Sequence, residues 1–224
     1  MLRAVLFDLD DTLVDQHSAA VEAVLAWAAE RGITEPDVSE RWARVSETHY
    51  TRYQLRELTF EEQRRERVRE FLDLSVSDDE ADAIYSGYLT RYEAAWRLFD
   101  DAIPALRRAR AAGLTVGVLT NGDETHQRFK LNLLGLADEV DLLIASSTLP
   151  AGKPAPAAFH HAINRIQTPA PETLMVGNSL ENDVLGAQSA GLPAVLLDRH
   201  NAHPQAAVPR IQSLNDLDFN LPPR

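Results

Sequence analysis

The sequence predicts an α/β protein, a doubly wound parallel sheet with an all-α domain of four helices inserted near its start. Three observations carry that prediction. Short apolar runs recur along the chain and alternate with stretches of helical periodicity; the first run breaks off into acids; and the alternation is suspended between residues 15 and 98, directly after that run.

Taken in order, residues 4–9 (AVLFDL) read as a buried parallel strand that delivers polar groups at its carboxyl end. The inserted segment 15–98 follows. Val21, Val24, Leu25 and Ala28 recur at helical spacing, as do Trp42, Val45, His49 and Tyr53. Thr59-x-x-Glu62 and Ser77-x-x-Glu80 have the form of capping boxes, in which side chain and backbone satisfy each other's free groups at a helix start. The helix after the second box carries Ala81, Ile84, Tyr85, Tyr88, Tyr92 and Ala95 on one face. Four helices therefore form a second domain by helix packing, with Trp27, Trp42 and Trp96 as core. From there the strand–helix alternation resumes: helix 101–112, strand 114–120, helix 124–134, strand 141–145, helix 155–166, strand 173–177, helix 181–190 and strand 193–197. Asp100 and Asp101 suit the amino end of the first of these helices, where the macrodipole favours acids. Gly113 and Gly191 stand where helices stop. The tail from 200 is rich in proline and asparagine, with one apolar run at 208–214 able to dock on the core. The expected division is thus a Rossmann-like core of 1–14 and 99–224 and a helical domain of 15–98.

The chain's 224 residues, 45% hydrophobic and 25% charged, are enough for a sizeable core and exclude overall disorder. A formal charge of −12 argues against passive binding to nucleic acid or anionic membranes. No cysteine is present, so no disulfide supports the fold, and the opening apolar run is too short for a secretory leader or a membrane span. A cytoplasmic location is the default expectation.

The chemistry lies at the strand ends, where open α/β sheets bind ligands. Asp8-Leu-Asp10-Asp11-Thr12 closes the first strand, and in extended backbone Asp8 and Asp10 face the same way. Crowded carboxylates raise each other's pKa unless a cation intervenes, although acids in a solvated loop are the plainer alternative. The second strand ends in Thr120-Asn121-Gly122, a hydroxyl and an amide beside a glycine that lets backbone approach a ligand. Lys153 stands in Gly152-Lys153-Pro154-Ala155-Pro156 after the third strand, and Gly177-Asn178-Ser179-Leu180-Glu181-Asn182-Asp183 follows the fourth. One crevice thereby collects carboxylates, a hydroxyl, an ammonium and a late acid.

The order DxDxT, TNG, GKPxP and a GDxxxxD-like segment followed by GAQSAG at 186–191 resembles the haloacid dehalogenase-like hydrolases, and within them the phosphatase branch whose helical cap follows the first motif. The resemblance runs from residue 4 to about 197 and implies a Mg2+-dependent hydrolysis of a small phosphorylated metabolite. Asp8 would attack phosphorus to give an aspartyl-phosphate, and Asp10 would protonate the leaving alkoxide and later deprotonate water. Thr120 and Lys153 would hold phosphoryl oxygens, with Lys153 also keeping Asp8 ionised, and Thr12, Asn121 and Gly122 would complete the substrate-binding set. Magnesium would take Asp8, the main-chain carbonyl of Asp10, Asp183 and Asn178.

Asn178 departs from the family pattern, which has aspartate there; the amide offers oxygen without charge. Either Asp183 carries more of the metal's binding or nearby waters compensate. Asp11 alternates away from the acid pair and suits a turn, and His160-His161 suits a surface or packing role over zinc. The cap of such proteins lies over the active site, which makes Gln16, His17, His49, Tyr50, Arg52, Tyr53 and Arg56 candidate contacts for a leaving group, against the alternative of a solvated helix face with packed tyrosines. A phosphomutase shares every one of these residues; a phosphorylatable signalling module shares the acids, hydroxyl and lysine, but at about half the length and without a cap. A dehalogenase would lack Asp10. No heptad repeat marks a coiled coil, which leaves monomer and homodimer both open.

Overall fold

The structure is a computed structural model that describes residues 1–219. The chain divides into two compact units, one of Met1–Asp15 together with the chain from Leu98 on, the other Gln16–Arg97.

The first unit is built on six parallel strands: β1 (Ala4–Phe7), β2 (Thr115–Thr120), β3 (Leu142–Ala145), β4 (Thr173–Gly177), β5 (Ala194–Leu197) and β6 (Arg210–Ile211), in the order β3-β2-β1-β4-β5-β6. Side chains alternate faces along a strand, and both faces are covered. Val5, Phe7, Val116, Val118, Leu174 and Val176 join Ala102, Ala105, Leu106 and Ala109 in one apolar layer; Ala4, Leu6, Met175, Ala194 and Leu196 join Ala158, Phe159, Ala162 and Ala187 in the other. The order runs outward in both directions from β1, and such a switch point opens a crevice at the strand's carboxyl end.

Strand bounds fall within a residue of the sequence reading except at β1, which ends at Phe7 and not at residue 9. The amide of Asp8 still donates to the Val176 carbonyl at 2.9 Å, but Leu13 and Val14 then donate back to the Leu9 carbonyl, and Asp11 takes a left-handed φ of 60°. The chain therefore turns sharply just past Asp8, with Asp11 in the turn. The 181–190 segment also differs from a plain helix: Leu180–Leu185 is a wide π turn, with Val184 donating to the Ser179 carbonyl, and only Gly186–Ser189 is α-helical. The tail run supplies the edge strand β6 and the buried Leu214.

Asp101 precedes α5 (Ala102–Ala111) but does not cap it. Its carboxylate accepts instead from Arg199, from the Ser213 hydroxyl at 2.7 Å and from the Leu214 amide at 2.9 Å. Burial pushes that carboxyl up, and these donors outweigh it, leaving Asp101 below its ordinary value. Arg199 also donates to the Thr12 carbonyl at 2.9 Å and stacks 3.9 Å over Phe99, so one guanidinium ties the tail to the segment after β1.

The second unit holds four helices: α1 (Gln16–Ala29), α2 (Val38–Gln54), α3 (Phe60–Leu72) and α4 (Asp78–Ala94). Both capping boxes are formed, at Thr59/Glu62 and Ser77/Glu80. Trp27, Trp42, Phe71 and Tyr88 make the interior, with Trp42 and Tyr88 centroids 4.6 Å apart. The buried stripe of α1 is Ala19, Ala23, Val24, Trp27 and Ala28; it is turned toward Ala23 and Trp27, which leaves Leu25 exposed. His49 and Tyr53 are also buried, with His49 Nε2 2.7 Å from Glu70, so these two candidates belong to the interior of the helical unit. No helix among the described residues is long and apolar enough to cross a membrane.

Candidate active site

The switch point at β1 assembles the site. Asp8 follows β1, Thr120 ends β2, and Asn178 follows β4, so register alone brings three of the expected residues to one sheet edge. Lys153 arrives from the loop after β3 and is held there by a two-point clamp. Asn121 donates from Nδ2 to the Lys153 carbonyl at 2.7 Å and accepts the Lys153 amide on Oδ1 at 2.8 Å. The Asn121 carboxamide thus braces the lysine.

The lysine's ammonium lies between two acids, 2.6 Å from Asp8 Oδ1 and 2.6 Å from Asp183 Oδ1. Asp183 is fixed through its other oxygen, which accepts the Ser179 amide at 2.9 Å. Gly177 makes this approach possible: a Cβ there would stand 2.2 Å from Asp183 Oδ2. Thr12, fully buried, donates to Asp8 Oδ2 at 3.1 Å or to Asn178 Oδ1 at 3.3 Å, and its oxygen accepts the Asn178 amide at 3.1 Å. Thr12 is therefore the link that binds the first motif to the fourth.

Electrostatically, one ammonium serves two buried carboxylates. Burial pushes Asp8 up, Lys153 pulls it back, and Asp183 and more weakly Asp10 push again, to about 7. Lys153 is expected to help keep Asp8 ionised; with no metal beside it, its pull on Asp8 is outweighed by desolvation and a second acid. Burial also works against the charge of Lys153, but two acids hold its ammonium above the ordinary lysine range. Both shifts describe a cluster short of positive charge.

Asp10 takes a different direction from Asp8. Its Oδ1 accepts from Lys130 Nζ at 2.5 Å and its Oδ2 from Gln127 Nε2 at 2.9 Å, both from α6 (Glu124–Leu133). Gln127 also donates to Thr120 Oγ1 at 3.1 Å. Sequence reasoning missed these two residues, although a signal was present. Gln127, Lys130 and Leu131 form the inward stripe of an amphipathic helix, and polar residues at core positions ask for partners. Gly122, expected to admit substrate, has its amide bonded to Ser146 Oγ at 2.9 Å; a Cβ on it would meet Gln127 Nε2 at 2.9 Å. The space it leaves is used by Gln127.

Two carboxylates, an amide oxygen and one main-chain carbonyl, that of Asp10, are a donor set that suits Mg2+, which takes few protein carboxylates and keeps waters. The raised Asp8 carboxyl fits the same group, since a cation beside it would offset the excess negative charge. Among the described residues no three His, Cys, Asp or Glu converge as a metal-ligand group. His160 is exposed and His161 half-buried.

A family model described as haloacid dehalogenase-like hydrolase matches residues 2–191. A phosphoglycolate phosphatase of Xanthomonas campestris is 34% identical over 197 residues, 86% of this chain and 81% of that protein. A ribulose-1,5-bisphosphate 5-phosphatase of Halopiger xanaduensis is 32% identical over 213 residues, 88% and 85% of the two chains. Among solved structures, a hydrolase of Bacillus subtilis bound to magnesium superposes with a TM-score of 0.77 over 96% of both chains, at 23% identity, a likeness of fold.

Proposed function

The chain belongs to the haloacid dehalogenase-like hydrolases, as a phosphatase among them, and from that premise we propose that it hydrolyses a small phosphate monoester through an aspartyl-phosphate on Asp8, with Mg2+ as cofactor. The observation that carries this reading is the Lys153 ammonium shared at 2.6 Å between Asp8 and Asp183 in a buried site at the switch point. A lone exposed acid pair would call for no such arrangement.

In this account an Asp8 oxygen attacks phosphorus as the bond to the alkoxide breaks, and Asp10 supplies that alkoxide with a proton. Asp10 then takes a proton from the water that opens the aspartyl-phosphate, which returns both acids to their starting state. Lys153 and the Thr120 hydroxyl offer donors to the phosphoryl oxygens, and Thr12 steadies the Asp8 oxygen it touches. Magnesium, held by Asp8, the main-chain carbonyl of Asp10, Asn178 and Asp183, would supply positive charge that favours ionised Asp8 and offsets the phosphoryl oxygens. The substrate is of the small anionic kind on which the two relatives act, phosphoglycolate and ribulose-1,5-bisphosphate in their names.

The test is phosphate release from a panel of phosphorylated metabolites with and without Mg2+, with Asp8→Asn as the control. Release that needs both the metal and Asp8, and no bisphosphate activator, supports a phosphatase. Transfer back to substrate marks a mutase, and metal-independent activity on haloacids overturns the reading.

A further inference from the structure

We propose that Gln127 and Lys130 of α6 are positioning residues that aim the acid–base carboxyl of Asp10, an inference that rests on the phosphatase reading above and deepens it. The two side chains stand one turn apart on the buried face of the helix, 3% and 1% exposed, and each engages a different Asp10 oxygen. A buried lysine on the inward face of a helix is rare without a dedicated partner. Here its ammonium lies on Asp10 Oδ1.

The two contacts hold both oxygens of one carboxyl, so the Asp10 side chain cannot turn without losing a partner. Gln127 also donates to Thr120 Oγ1, so the same amide sets Asp10 Oδ2 relative to the hydroxyl at the end of β2. In the phosphatase reading, when the P–O bond to the alkoxide breaks and the bond from Asp8 to phosphorus forms, a proton passes from Asp10 to the departing oxygen and its electron pair stays on Asp10, which makes the direction of this carboxyl matter.

The helix is fixed for this task at its amino end. Asp123 accepts the His126 amide at 3.0 Å, Ser147 accepts the Glu124 amide at 2.9 Å, and Ser146 accepts the Gly122 amide. Gly122 leaves the room that Gln127 fills. Four local features thus converge on the direction of one carboxyl.

The experiment compares kcat/KM, which reports the step that phosphorylates Asp8, for an alkyl phosphate and for 4-nitrophenyl phosphate with Mg2+ present. Nitrophenolate leaves without needing a proton, whereas an alkoxide needs one. General acid catalysis contributes about 10²–10⁴-fold, so Lys130→Met is expected to lower the alkyl value by about 100-fold and the aryl value at least ~10-fold less. Gln127→Leu is expected to show the same bias, and Lys130→Met is expected to add little in an Asp10→Asn background. The alkyl-to-aryl ratio is independent of how much of a variant is folded. Equal losses on both substrates in both variants, or full additivity with Asp10→Asn, overturn the proposal while the phosphatase reading stands. A native chain that turns over neither substrate overturns both.

Discussion

Removing the charge of Asp8 is expected to stabilise the metal-free chain. Asp8→Asn preserves the shape of a side chain whose carboxyl is raised from 3.8 to about 7, by burial first and by Asp183 against the pull of Lys153. At about 1.4 kcal/mol per pH unit, that rise means that ionised Asp8 costs the folded chain on the order of 4 kcal/mol. Local relaxation returns part of this, so the expected gain is about 2 kcal/mol, or roughly 4–8 °C in Tm for a chain of this size. The hydrogen bonds survive the exchange: Lys153 can donate to the amide oxygen, and the amide nitrogen can donate to Thr12, whose own proton then goes to Asn178. The sign follows from proton linkage. Between pH 3.8 and about 7 the folded chain holds a proton on Asp8 that the unfolded chain has released, so native stability from this group falls as pH rises. The advantage of Asp8→Asn should therefore be full above about pH 7 and absent below 3.8. Thermal melts in chelator at pH 8 and near pH 5 provide the assay. Added Mg2+ should raise the native Tm and leave the variant's unchanged. A variant that melts below the native chain in chelator at pH 8 would show that the Lys153 pairing dominates, and would refute the reasoning.

Three further predictions come from the same contacts. Asn178→Asp keeps the acceptor for Thr12 and adds a charge to the metal ligands, so Mg2+ titration should give tighter binding; unchanged or weaker binding would contradict the charge argument. Gly177→Ala places a Cβ 2.2 Å from Asp183 Oδ2, which should destabilise the chain by about 1–3 kcal/mol in urea unfolding and displace Asp183 from Lys153. Asp101→Asn weakens its bonds to Arg199 and Ser213 and should lose about 2 kcal/mol at pH 7. Because the Asp101 carboxyl lies below its ordinary value, the native chain holds that contribution above the ordinary value and loses it as pH falls, so native and variant should converge in acid.

Much of the fold was legible because its signals are local. Alternating apolar runs and helical periodicity announce the sheet, and the capping boxes at Thr59 and Ser77 fix two helix starts through bonds within four residues. Asp8 and Thr120 stood out because each delivers a polar group where a buried strand stops, and Lys153 and Asp183 because they lie in the segments that follow β3 and β4. What escaped depends on distant partners. The brace that the Asn121 side chain gives the Lys153 backbone joins residues 32 apart in sequence. Asp101 reads as a helix cap until Ser213 and Leu214, more than a hundred residues later, claim it. Lys130 and Gln127 occupy core positions of α6, and only the placement of Asp10 explains why charge and amide are tolerated there.

The central claim is that Asp8 carries the phosphoryl group during turnover. Native chain mixed with substrate and Mg2+, quenched in acid within a single turnover and digested, should yield the Asp8 peptide heavier by one phosphoryl group, and the Asp8→Asn chain should yield none. Phosphate released at the native rate with no modified Asp8 peptide at any quench time, or by the Asp8→Asn chain, would contradict it.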